Sequence, residues 1–123
     1  MDPFSHAVSD RLRTCALALP ETSEGTSCVN RAFKVRKKNF LFVGEPAGDE
    51  VRVMLKLGPS LDTARALADP RVGVGKTGWV TVRFAAADPF PLATLEGWMR
   101  ESYCLLGPKA LARALQQGDA SGA

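Results

Sequence analysis

Few residues in this chain could do covalent or metal chemistry, and their spacing argues against most of it. Gly73-Val74-Gly75-Lys76-Thr77 ends like a phosphate-binding loop, whose backbone amides and lysine cradle phosphates. Such a loop needs a glycine five positions before Gly75, where Pro70 stands, and a following helix whose N-terminus faces the phosphates. Trp79 to Phe84 reads instead as a strand, so the segment is a glycine-rich hairpin. His6 is the single histidine, and one such residue in the first turns of the chain does not make a general base or a metal site. Ser102 falls in a helical pattern, without the strained strand-to-helix elbow that exposes a nucleophile. A hydroxyl bonding back to a carbonyl of its own helix is expected there. Cys15, Cys28 and Cys104 are odd in number and far apart, which points to buried free thiols rather than a disulfide framework or a Cys-x-x-Cys metal site. No catalytic residue, metal or cofactor is expected.

The basic residues carry more information. Arg31, Lys34, Arg36, Lys37 and Lys38 place five of the sixteen lysines and arginines in residues 31–38, a stretch without an acid. Further along, Gly78 to Phe84 alternates strictly, so Val80, Val82 and Phe84 suit a core while Trp79, Thr81 and Arg83 face the other way. Arg52, Met54 and Lys56 alternate in the same manner with Val51, Val53, Leu55 and Leu57. If the two strands share a sheet, Arg52, Lys56 and Arg83 lie beside Trp79 and Met54, which joins phosphate-seeking charge to a surface on which a base could stack.

The elements that must position these residues follow from periodicity. Asp2-Pro3 fits an N-cap and first helical residue, and Val8, Leu12, Cys15 and Leu19 recur at helical spacing until Pro20. A polar link of Ser, Thr and Gly follows. Val29, Phe33 and Val35 then alternate as a strand, and a basic turn at Arg36 to Asn39 leads into Phe40 to Gly44. The closest pairing registers set Phe33 and Val35 on one face with Phe40 and Phe42. After a turn at Glu45 to Asp49 comes the strand Val51 to Leu57, then a short helix capped by Ser60, carrying Leu61, Ala64 and Leu67 and ending at Asp69-Pro70. Val72 to Val74 is a short strand. From Leu92, the positions Leu95, Trp98, Met99, Ser102/Tyr103 and Leu106 form the longest helix. Pro108 starts a last one with Leu111 and Leu115 on one face, and residues 118–123 form a tail that should fray.

With 123 residues, 46% apolar and 24% charged, this is a single α+β domain over residues 1–117, an antiparallel sheet with helices on one face. A net charge of +3 permits an anionic partner without demanding one. No apolar run reaches the roughly 20 residues of a membrane helix, and Met1-Asp2-Pro3 lacks a secretory pattern, so a cytoplasmic protein with no membrane association is expected.

Five blocks in order, Leu19-Pro20-Glu21, Phe33-Lys34-Val35, Met54-Leu55-Lys56-Leu57, Gly78-Trp79-Val80-Thr81-Val82 and Glu101-Ser102-Tyr103, resemble the signature blocks of the MmcQ/YjbR family over roughly residues 8 to 115. The resemblance implies a frataxin-like (CyaY-like) fold, a twisted antiparallel sheet backed by helices with two projecting hairpins, the double wing. It implies DNA binding and no established reaction. Relatives often carry glycines at the hairpin tip where this chain has Arg36-Lys37-Lys38. A frataxin-like fold also raises iron binding, but Arg11 and Arg13 interrupt the first helix where a dense acidic ridge would be needed.

The expected function is therefore nucleic-acid binding through Lys34, Arg36, Lys37, Lys38, Arg52, Lys56, Lys76, Trp79 and Arg83. The alternative is a protein partner docking on the same face, anchored by Leu41, Val43, Met54 and Trp79. A third arrangement would bury Trp79 beneath Leu111 and Leu115 of the last helix.

Overall fold

Alternation in four short runs and a 3.6 period at each end translate directly into elements. A computed structural model describes residues 4–27, 30–44 and 50–113. The expectations placed on Asp2-Pro3, Cys28, Val29, the Glu45 to Asp49 turn, Leu115 and the tail lie outside these residues. The order is α1 (Phe4–Leu17), β1 (Thr22–Ser27), β2 (Asn30–Val35), β3 (Lys38–Gly44), β4 (Val51–Lys56), α2 (Leu61–Ala66), β5 (Val72–Val74), β6 (Trp79–Phe84) and α3 (Leu92–Leu106), with residues 109–113 helical beyond it. The strands form one antiparallel sheet in the order β1-β2-β3-β4-β6-β5. No helix among the described residues is long and apolar enough to cross a membrane.

Each strand contributes alternate residues to one core. Phe33 and Val35 of β2, Leu41 and Val43 of β3, Val53 and Leu55 of β4 and Val80 and Val82 of β6 are all buried there. Val8, Leu12 and Ala16 of α1 and Leu95, Met99 and Tyr103 of α3 cover them. At roughly 1.5–3 kcal/mol for each large side chain, this one-sided burial fixes which face of the sheet the helices take. In α2, only Ala64 is buried, while Leu67 keeps 48% of its exposure, contrary to its expected place on the buried side. Six residues of helix are too short to turn a second full row inward.

The polar link is itself a strand. Thr22–Ser27 pairs along its whole length with β2, from Thr22↔Val35 to Ser27↔Asn30. Its residues, Thr-Ser-Glu-Gly-Thr-Ser, carry no apolar period because it is an edge strand, held by its ladder and by Glu24, which pairs with Arg13 of α1 at 2.6 Å.

A register shift between Phe33 and Lys34 corrects the expected hairpin faces. Phe33 pairs with Leu41 and Lys34 with Asn39, so Phe40 is an extra residue in β3, a bulge that reverses the alternation beyond it. Phe40 stays in the core with Leu41 and Val43, whereas Phe42 turns to the opposite face. The hairpin turn is Arg36-Lys37, with Arg36 left-handed at φ 57°, a conformation that glycine adopts without cost.

The Glu101-Ser102-Tyr103 turn of α3 fastens this irregular sheet. Extending the Phe42↔Met54 and Leu41↔Leu55 register puts Phe40 opposite Lys56, and the Ser102 hydroxyl stands between their backbones. It donates to the Phe40 carbonyl at 2.6 Å and accepts the Lys56 N–H at 3.0 Å. This replaces the expected bond to a carbonyl of its own helix. Glu101 accepts the backbone N–H groups of Gly58 and Ser60 at 2.8 and 3.0 Å and the Ser60 hydroxyl at 2.7 Å. Ser60 therefore stands at the N-cap position of α2 without a side-chain cap bond. Tyr103 donates to the Pro20 carbonyl at 2.8 Å and meets Phe40 edge to face at 5.4 Å.

Ser102→Ala removes a donor and an acceptor from two backbone groups in the core. Urea denaturation of the variant should read a loss of about 2–3 kcal/mol with an unchanged denaturant slope.

Candidate nucleic-acid interface

The face away from the helices is defined by strand parity. Its cations are Lys34, Arg52, Lys56 and Arg83, its large apolar residues Phe42, Met54 and Trp79, and its small ones Gly25, Ala32 and Gly73. None of the described positions of β1–β6 on this face is Asp or Glu. Glu50 lies just before β4 at the margin, where it shares a cleft of about 370 Å³ with Arg71 and Arg83.

Phe42 and Trp79 meet across β4 with ring centroids 5.8 Å apart and planes tilted by 52°. Both are half-buried. Met54 stands between them in the sheet, paired with Phe42 on one side and Thr81 on the other, while Trp79 pairs with Lys56. Leu111 packs against the core on the helix side, and a cover from Leu115 falls outside the described residues. Leu41 and Val43 are fully buried, so they cannot anchor a partner. The bulge gives that role to Phe42, which strand alternation without an extra residue had assigned to the core.

The structure divides the expected basic cluster. Lys34 is exposed on the open face. Arg36 forms a two-pronged pair with Glu21, Nε to Oε1 at 2.9 Å and Nη2 to Oε2 at 3.1 Å, and the hydrogen bond pulls the Glu21 carboxyl below its ordinary range. Arg31 reaches Asp10 of α1 at 3.9 Å. Lys37 is exposed at the tip and borders both sides. Toward the open face it helps line a hollow of about 220 Å³ with Gly25, Thr26, Ala32, Lys34 and Asn39. Lys38 is on the helix side, near Leu106, Gly107 and Pro108. Lys76 is exposed in the β5–β6 turn. There the Gly75 N–H donates to the Trp79 carbonyl at 2.8 Å, a hairpin closure that leaves no helix to face a phosphate. Arg52 and Arg83 are direct cross-strand neighbours.

Several cations away from the open face are paired with acids. Arg11 pairs with Glu96 at 2.8 Å, and Cys15, a half-buried free thiol, donates to the same carboxylate at 3.5 Å; burial pushes its pKa up. Arg71 is the most heavily used cation. It holds Asp69 with Nη2 at 2.6 Å, Asp88 at 3.1 Å and the Pro89 carbonyl at 2.9 Å, and stacks over the Phe90 ring at 5.3 Å. These bonds pin the loop before β5 to the loop before α3, a structural duty that sequence spacing does not reveal. Among the described residues no three of His, Cys, Asp and Glu gather as a metal-binding group.

Fold and face together define a class: an α+β protein with one sheet surface covered by helices and the other basic and aromatic, with no described helix over it. The model of the YjbR family matches residues 17–105, most of the chain and every block from Leu19 to Tyr103, and the chain belongs to that family. No curated protein matches it significantly in sequence.

Hydrogen bonds from the Arg71 side chain and backbone lower the Asp69 pKa from 3.8 to about 2. The ionised group therefore stabilises the fold above pH 3.8, and that contribution fades as pH falls toward the folded value. Asp69→Asn should lower the melting temperature at neutral pH and flatten its dependence between pH 3.8 and 2, converging on the parent at the acid end of a thermal-melt series.

Proposed function

We propose that the protein binds nucleic acid on the open sheet face, chiefly through phosphate contacts, and does no catalysis. The observation that carries this reading is the segregation of charge. The ion pairs of Arg11, Arg13, Arg31, Arg36, Arg65 and Arg71 lie on the helix side or in turns. Lys34, Lys56 and Arg83 share a face on which the described strand positions hold no acid. A surface of one sign attracts a polyanion and gains by releasing its counterions. Lys37 and Lys76 extend the same field from two hairpin turns, while Arg36, committed to Glu21, contributes mainly to the shape of one of them. The absence of catalysis rests on Ser102, fully buried with its hydroxyl engaged as both donor and acceptor, and on the exposed, solitary His6.

A protein partner is the second reading, favoured by the Phe42–Met54–Trp79 patch. The two differ in their response to salt. For about four phosphates neutralised, the log of the association constant for a mixed-sequence oligonucleotide should fall with log salt at a slope of roughly −3 to −4. Lys56→Gln should make that slope shallower by about 0.7–0.9. Fluorescence anisotropy across a salt series reads both, and absence of binding at low salt, or a flat response, would refute the proposal.

A further inference from the structure

We infer that the preferred nucleic acid is a single strand with unpaired bases, laid across the strands over Phe42, Met54 and Trp79. The inference rests on the nucleic-acid reading of this face and specifies its ligand. Its observations are the shape of the face and the position of its aromatics. Its large apolar side chains belong to the inner strands, Phe42 and Met54 in mid-strand and Trp79 at the first position of β6. A duplex hides its base faces and is read in its grooves by a helix, ribbon or loop that projects. Phe42 and Trp79 do not project. They lie half-buried, 5.8 Å apart and tilted by 52°, so they offer ring surface outward, which suits the face of an unstacked base.

The row through Phe42 and Met54, with Trp79 two residues to one side of it at the level of Lys56, supplies a path. Gly25, Ala32, Phe42, Met54, Thr81 and Gly73 are successive cross-strand neighbours, low at both ends and raised in the middle. Five strand spacings of about 4.8 Å give a track of about 24 Å, room for about four nucleotides, the lower end of known site sizes. Cations flank the track on both sides. Arg52 and Arg83 lie two residues along their strands on one side, about 7 Å away, and Lys56 lies at the same separation on the other. At the β1–β2 end, the hollow over Gly25 and Ala32 opens beneath Lys34 and Lys37. Bases thus meet rings while the backbone runs between positive rows, an arrangement that tolerates sequence because every base has a flat face.

The test compares an oligothymidylate of about 16 nucleotides, which cannot self-pair, with a mixed-sequence duplex of equal length at one low salt concentration. Trp98 keeps only 6% of its exposure, so quenching of tryptophan emission reports Trp79. The oligothymidylate should quench that emission and bind at least about fivefold more tightly than the duplex. Trp79→Leu should weaken oligothymidylate binding more than duplex binding and so remove most of that preference, and Trp79→Phe should retain much of it. Phe42→Leu should weaken single-strand binding in the same direction, a readout available even where a Trp79 variant folds poorly. Equal binding of both forms without quenching would overturn the single-strand inference and leave the nucleic-acid reading standing. Binding of neither would overturn both.

Discussion

The structure depends on a serine hydroxyl inserted into a sheet. Phe40 is the extra residue of a bulge, and at its level the β3–β4 ladder is completed not by backbone but by Ser102, which joins the Phe40 carbonyl to the Lys56 amide. Both groups would otherwise be buried without partners, at about 1–3 kcal/mol each. The residues on either side extend the fastening. Glu101 collects the amides of the β4–α2 connection and Tyr103 reaches the carbonyl that ends the α1 connection. One helical turn thus ties β3, β4, the β4–α2 connection and the end of the α1 connection, and the polar groups of all three side chains are spent on these structural bonds.

The bulge has a functional consequence because it decides what the open face displays. Without the extra residue, Phe42 would point into the core and Leu41 and Val43 outward. With it, Phe42 joins Trp79 on the outside and the two aliphatic residues complete the interior. The core and the proposed recognition surface then occupy opposite sides of one layer. On the helix side and in the hairpin turn arginines are paired with carboxylates, as in Arg11–Glu96, Arg13–Glu24 and the two-pronged Arg36–Glu21, whose fork suits the guanidinium. On the open side lysines predominate among the strand and turn cations, mobile charges that cost little to keep hydrated.

Much of this was legible in the residues. Val51 to Leu57 and Gly78 to Phe84 alternate without interruption, and their faces follow directly from a period of two. The long helix announced itself through Leu95, Trp98 and Met99. What escaped was whatever lacks an apolar period. Thr22–Ser27 is a strand because β2 offers it a ladder, not because its own side chains ask for one. The face of Phe42 hinged on a single inserted residue, and parity reading has no means of seeing a bulge whose flanks are equally apolar. On the candidate face, the basic and aromatic positions of β4 and β6 follow from parity, but charge partners are a property of tertiary placement. Arg36 finds Glu21 fifteen residues away, and Lys38 lands on the helix side because it pairs with Val35, a core position.

The most direct measurement of the central constraint is amide hydrogen exchange resolved by residue. If side chains of α3 hold the sheet together as described, the N–H groups of Lys56, Gly58 and Ser60 exchange about as slowly as those of Val53 and Leu55 in the middle of β4, and they do so in concert with α3. Fast exchange at Lys56, with protection ending at Leu55, would mean that Ser102 does not bridge the strands, and the register that turns Phe42 outward would lose its support.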